Sequence, residues 1–355
     1  MTTHRKLTAG VAALACAVFA LTLSVRGADA KLDTAMRIEK ALPEAALVKP
    51  EKPRKVLIYT RASGFVHSSI PIGAQCFEAL GKKTGAFEVT EITDDPAVFD
   101  GDKLKDFDCI VLMSTTGHFL TPNRPGRPKD FDKKSDDEKK KITDAEAKFN
   151  ESNKANVDAE PARKKALLDF VNSGKGLVGI HAATDAYSNG DGKDIWQDYA
   201  ELIGGCFNGH PFHKINIKVD DPKSPINALF EGKNFDFSDE IYTYKNYPNH
   251  TRAKLHVLLS LDLDKCGFKK DEKDPTKYVG ENRADHDYAV AWIKKAGNGR
   301  VFYTLLGHQN ETYYNPLSVK FFLGGIQYAL GDLKCDDSPS DPKAPIPPAP
   351  ANWTK

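Results

Sequence analysis

Residues able to move protons or hold a cation stand just beyond apolar runs of this chain. They are His67, His118, His181 with Asp185 close behind, His210 and His308, joined by Glu240 in an amphipathic stretch. Imidazoles combined with carboxylates suit a divalent metal of the zinc, manganese or nickel type. The same groups equally suit a metal-free acid/base pair acting on a sugar. His181, Asp185, Glu240 and His308 are the candidate catalytic residues, and His67, His181 and His210 the candidate metal ligands. His210-Pro211-Phe212-His213 places two imidazoles at a ligating spacing but without a third ligand nearby. His67, His118, Tyr187, Trp196 and Tyr242 are candidate substrate contacts, because such rings can stack on or hydrogen-bond to a sugar. Taken singly, each of these residues is also explained as packing. Their recurrence after apolar runs is what points to a site.

For such positions to meet, the runs must be strands of one sheet whose carboxyl ends share a crevice. The central run, Leu177 to Ile180, is apolar, rich in β-branched residues and preceded by Gly174 and Gly176, as a buried parallel strand should be. It ends in His181-Ala182-Ala183 and leads to a helical stretch at Asp194 to Ile203. Small residues around one exposed side chain between strand and helix describe a nucleophile elbow, here carrying a histidine. Other expected strands are Lys55–Tyr59, Phe87–Ile92, Phe107–Met113, Ile215–Val219 and His256–Leu261. Tyr288–Ile293 and Arg300–Leu305 flank Gly297-Asn298-Gly299 as a hairpin. Helices are expected at Ile72–Leu80 after Pro71, at Ala166–Val171 and at Pro316–Leu330. Strands alternating with helices make this a single α/β domain over residues 54–332, with a flavodoxin-like, doubly wound, mostly parallel sheet.

The flanks and interruptions carry other signals. Arg5 and Lys6 precede an apolar run from Leu7 to Val25, and Ala28-Asp29-Ala30 offers a small-x-small cleavage site. Residues 1–30 thus read as a signal peptide, with an uncleaved anchor as the alternative, and the protein as secreted or periplasmic. Residues 31–53 form a Pro-ended lead-in. Residues 122–165 interrupt the pattern with a dense run of charges of both signs, a solvated insertion with helical character around Asp136–Lys148. The Pro-rich residues 336–355 read as a disordered tail. The net charge of +1 gives no electrostatic case for nucleic acid or for an anionic membrane surface. Neither GxGxxG nor GxxxxGK[ST] occurs, so a nucleotide cofactor has no support. Beyond the leader the cysteines are odd in number and form no CxxC, and Cys266 and Cys335 are the best candidates for a bonded pair.

Several stretches together resemble the ThuA-like (trehalose utilisation) family. They are Gly64 to Ile70, Gly176 to Asp185, Gly204-Gly205-Cys206-Phe207 with His210-Pro211, Asp239-Glu240-Ile241-Tyr242, and Gly299 to His308. The resemblance spans residues 55–330 and implies a fold similar to class I glutamine amidotransferases. It also implies sugar catabolism, with glycosides oxidised to 3-keto forms as substrates. His181 stands where an amidotransferase has its nucleophile, which argues against glutaminase activity. The charged insertion replaces a loop that is short in the family. On this reading His181 and His67 face a metal or the ketone, while Asp185, Glu240 or His308 carries protons. A non-catalytic carbohydrate-binding protein using the same pocket is the alternative, followed by a scaffold acting through the insertion.

Overall fold

The computed structural model describes residues 32–350, except 123–126, 129, 189–194, 267–271, 273–282 and 284–286, together with Trp353. The leader lies outside the described residues. Among those described, no helix is long and apolar enough to cross a membrane.

One nine-stranded sheet organises the chain, with spatial order β2-β1-β3-β4-β9-β8-β7-β5-β6. Its first half is parallel: β1 (Lys55–Tyr59), β2 (Glu88–Thr93), β3 (Cys109–Met113), β4 (Gly176–Ile180) and β9 (Gly299–Thr304). β3 and β4 are buried along their whole length, which is why they read as unbroken apolar runs. Helices cover both faces. α2 (Ile70–Thr84) and α6 (Pro316–Ala329) meet through Phe77 and Phe322, whose ring centroids are 5.3 Å apart. α6 lies against Gly176 of β4, and α5 (Gln197–Ile203) lies against Gly179 on the opposite face. Doubly wound α/β is therefore the fold. The expected helix at Asp194–Ile203 begins at Gln197, and Asp194 lies outside the described residues.

The second half of the sheet is antiparallel, so the sheet as a whole is less parallel than expected. β8 (Ala289–Ala296) turns back on β9 through the expected hairpin, and β7 (His256–Leu261), β5 (Phe207–Val219) and β6 (Phe235–Tyr244) follow. β5 is far longer than the expected Ile215–Val219. Only Ile217 to Val219 pairs with β7, while Phe207 to Lys214 runs on beyond it, paired with β6 alone. Three register shifts between Phe207 and Lys214 kink this two-stranded ribbon, as bulges do. His210 to His213 thus belongs to a bulged strand rather than to a loop, and the side chains of residues 211–213 lie outside the described set.

The flanks are more integrated than their composition suggests. Residues 32–41 form a helix, α1, that buries Ile38 and Ala41. The chain after it is tied down by Gln327, which accepts from the Leu47 N–H at 2.8 Å and donates to the Val48 carbonyl at 2.7 Å. In the insertion, α3 (Asp136–Ser152) buries no residue, but α4 (Lys154–Asn172) returns to the domain through Glu160 and Arg163. Arg163 holds Asp100 and the Leu120 carbonyl. The tail, Pro-rich as it is, lies along β7 instead of being loose. Ser340 donates its N–H to Leu255 O and its hydroxyl accepts from Val257, while His256 contacts Ser338 O at 2.6 Å. No bond joins Cys266 to Cys335, and all five described cysteines are free thiols. Cys266 accepts from the Asn216 N–H at 3.2 Å, a contact that engages it on β5 away from Cys335.

Candidate metal and acid–base site

Where β4 ends, the backbone turns so sharply that His181 has φ +45°, a region that non-glycine residues rarely enter. The short 3-10 turn His181–Asp185 follows. This is the elbow geometry, and it fixes the imidazole above the carboxyl edge. The ring is fully buried, and its Nδ1 lies 2.8 Å from the Leu305 carbonyl just past β9. A nitrogen bonded to a carbonyl must carry the proton, which leaves the Nε2 lone pair facing the site. Tyr303 of β9 donates to the His181 carbonyl at 2.5 Å and so clamps the turn from below.

Two further imidazoles converge on it. His67 arrives from the loop after β1 and His308 from the turn after β9, with ring centroids 4.8 and 5.1 Å from that of His181. Glu240 completes the group from the kinked ribbon. One ligand atom from each of His67, His181, Glu240 and His308 lies within 4.8 Å of all the others. His308 Nδ1 is 3.2 Å from His181 Nε2 and 3.1 Å from Glu240 Oε2, and His181 Nε2 is 3.6 Å from the same oxygen.

Electrostatics puts His67, His308 and Glu240 in the ligating form. Burial drives His67 down to about 3, aided by repulsion from His181 and His308. His308 is lowered by burial and by His181. Burial works the other way on Glu240, but its neighbours His181, His308 and His210 outweigh it and bring it to about 2. Neutral imidazoles beside a carboxylate are a cation's donor set. The Nδ1 atom of His67 is buried with no hydrogen-bond partner among the described residues, which is costly unless something else pairs with it. Tetrahedral ligands about 2.0–2.1 Å from a zinc-type ion stand roughly 3.3 Å apart, close to the separations among His181, His308 and Glu240. The residues fit a metal.

Asp239 secures the arrangement. Its buried carboxylate accepts from the backbone N–H groups of Glu240, Gly307 and Gln309 and from the Thr312 hydroxyl, at 2.8 to 3.0 Å. It thereby locks the ribbon to the turn that carries His308. The sequence places it in the stretch shared with the family but offers no role for it, because a buried carboxylate beside Glu240 has no pattern of its own.

The remaining candidates fall into three places. His210 does not join the ligand group. Its Nδ1 contacts the outer Glu240 oxygen at 3.2 Å, and the side chain is half exposed. Asp185 lies within the field of Lys245, His181 and His210, and burial raises it to about 6 against their pull. Tyr242 packs its ring against His181 at 4.6 Å. His118, Tyr187 and Trp196 gather instead around α4. Tyr187 is buried, donates to Glu160 at 2.7 Å and lies under the Lys164 ammonium, so its ring faces protein on the sides described. His118 Nδ1 is 3.6 Å from Glu160, a carboxyl that burial would raise but that His118, Tyr187 and Lys164 hold at about 2.

A family model described as ThuA, trehalose utilisation, matches residues 55–127 and 135–329. Among solved structures, a ThuA-like protein from Bacteroides uniformis superposes with a TM-score of 0.52 at 19% identity, covering 83% of this chain and 97% of its own. A ThuA-like protein from Parabacteroides merdae gives a TM-score of 0.49 at 16% identity, with coverages of 81% and 95%. No curated protein matches the chain.

Proposed function

The chain belongs to the ThuA family, set in sugar utilisation, and on that footing we propose that it is an enzyme that cleaves a glycoside bearing a 3-keto group. The observation that carries this reading is the convergence of His67, His181, Glu240 and His308 on one point, with Asp185 nearby and outside the ligand group. These four would hold a divalent cation, which when bound supplies Lewis-acid stabilisation for negative charge on an oxygen. A ketone at C3 acidifies the hydrogen on C2. Asp185 serves as the base, because a carboxyl near 6 is available both ionised and protonated near neutrality. It takes the C2 proton, the C–H electron pair forms the C1–C2 double bond, and the C1–oxygen bond breaks. Asp185 then returns that proton to the departing oxygen, so the aglycone leaves as an alcohol and the sugar as an enone. Asp239 keeps Glu240 and His308 in register throughout. Tyr242 shields His181 from water. Export through residues 1–30 belongs to the same reading, with Lys31 as the expected first residue of the mature chain.

The test is incubation of the purified chain with methyl and 4-nitrophenyl 3-keto-glucosides. Release of the aglycone is expected, with Asp185→Asn slower by about a hundredfold or more. Sugar binding without turnover would replace this reading by the binding-protein one.

A further inference from the structure

Phe65 and Val66 are 65% and 64% exposed, yet they directly precede His67, which is 4% exposed and inside the ligand group. The Phe65 ring stands edge-on to the His67 ring, with centroids 4.8 Å apart. Single apolar residues at a surface are ordinary. An adjacent pair beside a polar site, on a loop held in place, is a different matter.

The loop is moored on both sides. Ser63 donates its N–H to the Thr116 carbonyl at 2.9 Å, and Gly64 donates to the Thr116 hydroxyl at 3.0 Å. That hydroxyl in turn donates to the Phe65 carbonyl at 3.0 Å. Ser63 Oγ also donates to the His118 carbonyl at 3.1 Å. A Cβ on Gly117, which has φ +59°, would lie 2.9 Å from the Gly64 nitrogen, so only glycine there lets the two loops interlock. Beyond the pair, Ile70 N–H donates to the His67 carbonyl at 3.2 Å and Ser69 Oγ to the Gly307 carbonyl at 2.8 Å. The apolar pair is therefore held out in advance, and a ligand covering it meets a surface whose ordering cost is already met by folding.

Resting on the proposal that the site takes a glycoside, we infer that Phe65 and Val66 form the seat for its leaving group, and that the preferred substrates carry an aromatic or otherwise apolar aglycone. The charged groups of the site attend to the keto-sugar, and the pair beside His67 covers what departs.

The experiment compares KM for methyl and 4-nitrophenyl 3-keto-glucosides in the wild-type chain, Phe65→Ala and Val66→Ala. The wild-type chain should favour the nitrophenyl substrate, and Phe65→Ala should shrink that preference by about tenfold, Val66→Ala by less. A preference unchanged in Phe65→Ala overturns the inference while leaving the catalytic reading intact. If the wild-type chain turns over neither substrate, the catalytic reading fails. Calorimetric binding of 4-nitrophenyl glucoside then decides the seat: weaker binding to Phe65→Ala supports it, and equal binding overturns it. Sedimentation of the same proteins covers the remaining occupant. A dimer that Phe65→Ala splits would make the pair a contact between copies and overturn the inference.

Discussion

The two halves of the sheet deliver their site residues by different physics. In the parallel half, His67, His181 and His308 follow β1, β4 and β9, and the topology alone brings strand ends to one edge. In the antiparallel half, Glu240 sits on β6, the strand farthest from β1 and β2 in the order. It meets His181 on the stretch where the β5–β6 ribbon outruns β7 and three register shifts interrupt its pairing. One half presents ligands by its architecture, the other by a local irregularity. The histidines should therefore be insensitive to surrounding changes, and the carboxylate should depend on its moorings.

That contrast can be broken most forcefully at its centre. His181→Ala removes the ligand that both halves share, and turnover should fall by more than about a hundredfold, beyond what a supporting residue costs, as measured by steady-state kinetics. Asp239→Asn attacks the joint between the halves. An amide cannot accept four hydrogen bonds as the carboxylate does, so denaturant unfolding should show a loss of about 2–4 kcal/mol. Activity should fall with it, about tenfold or more.

The pH response sharpens the comparison through Asp185, which follows the β4 elbow. As a base it works ionised, so kcat/KM should rise with pH through about 6, and Asp185→Asn should abolish that rise. The sign for stability is opposite. The folded carboxyl titrates near 6 and the unfolded one near 3.8, so between those values the folded state holds more protons. Stability should therefore decline as pH climbs from about 4 to 6, and the Asn variant should lack that slope in urea titrations. His210→Ala should have the smallest effect, a few-fold at most, because its half-exposed ring lies outside the ligand group and meets it through the outer Glu240 oxygen.

Much of this was legible in the chain itself. Buried parallel strands such as Leu177–Ile180 betray themselves as apolar runs, and the rule that ligands gather at strand ends points to His67, His181 and His308, though equally to His118 and His210. The elbow at His181 is readable from its small neighbours, which leave room for the turn at positive φ. The ribbon was not. Phe237–Tyr244 reads only as an amphipathic stretch, and no local pattern says that it is a strand or that three register shifts will interrupt its pairing beside the site. His210 therefore looked like a ligand and proves to be a partner of Glu240, while nothing in the sequence gives Asp239 a role. His118 is readable as a strand-end residue and Tyr187 as a ring that could meet a sugar, but neither as a partner of Glu160, which comes from an insertion whose charge suggests solvent. Composition likewise misjudged the tail, where backbone hydrogen bonds along β7 outweigh what the prolines suggest.

The central claim is that His67, His181, Glu240 and His308 form a metal site. Elemental analysis of the purified chain by plasma mass spectrometry, beside His181→Ala, tests it most directly. The expected result is near one equivalent of a divalent transition metal in the wild-type chain and its loss from the variant. Metal absent from both, or equally present in both, would contradict the claim.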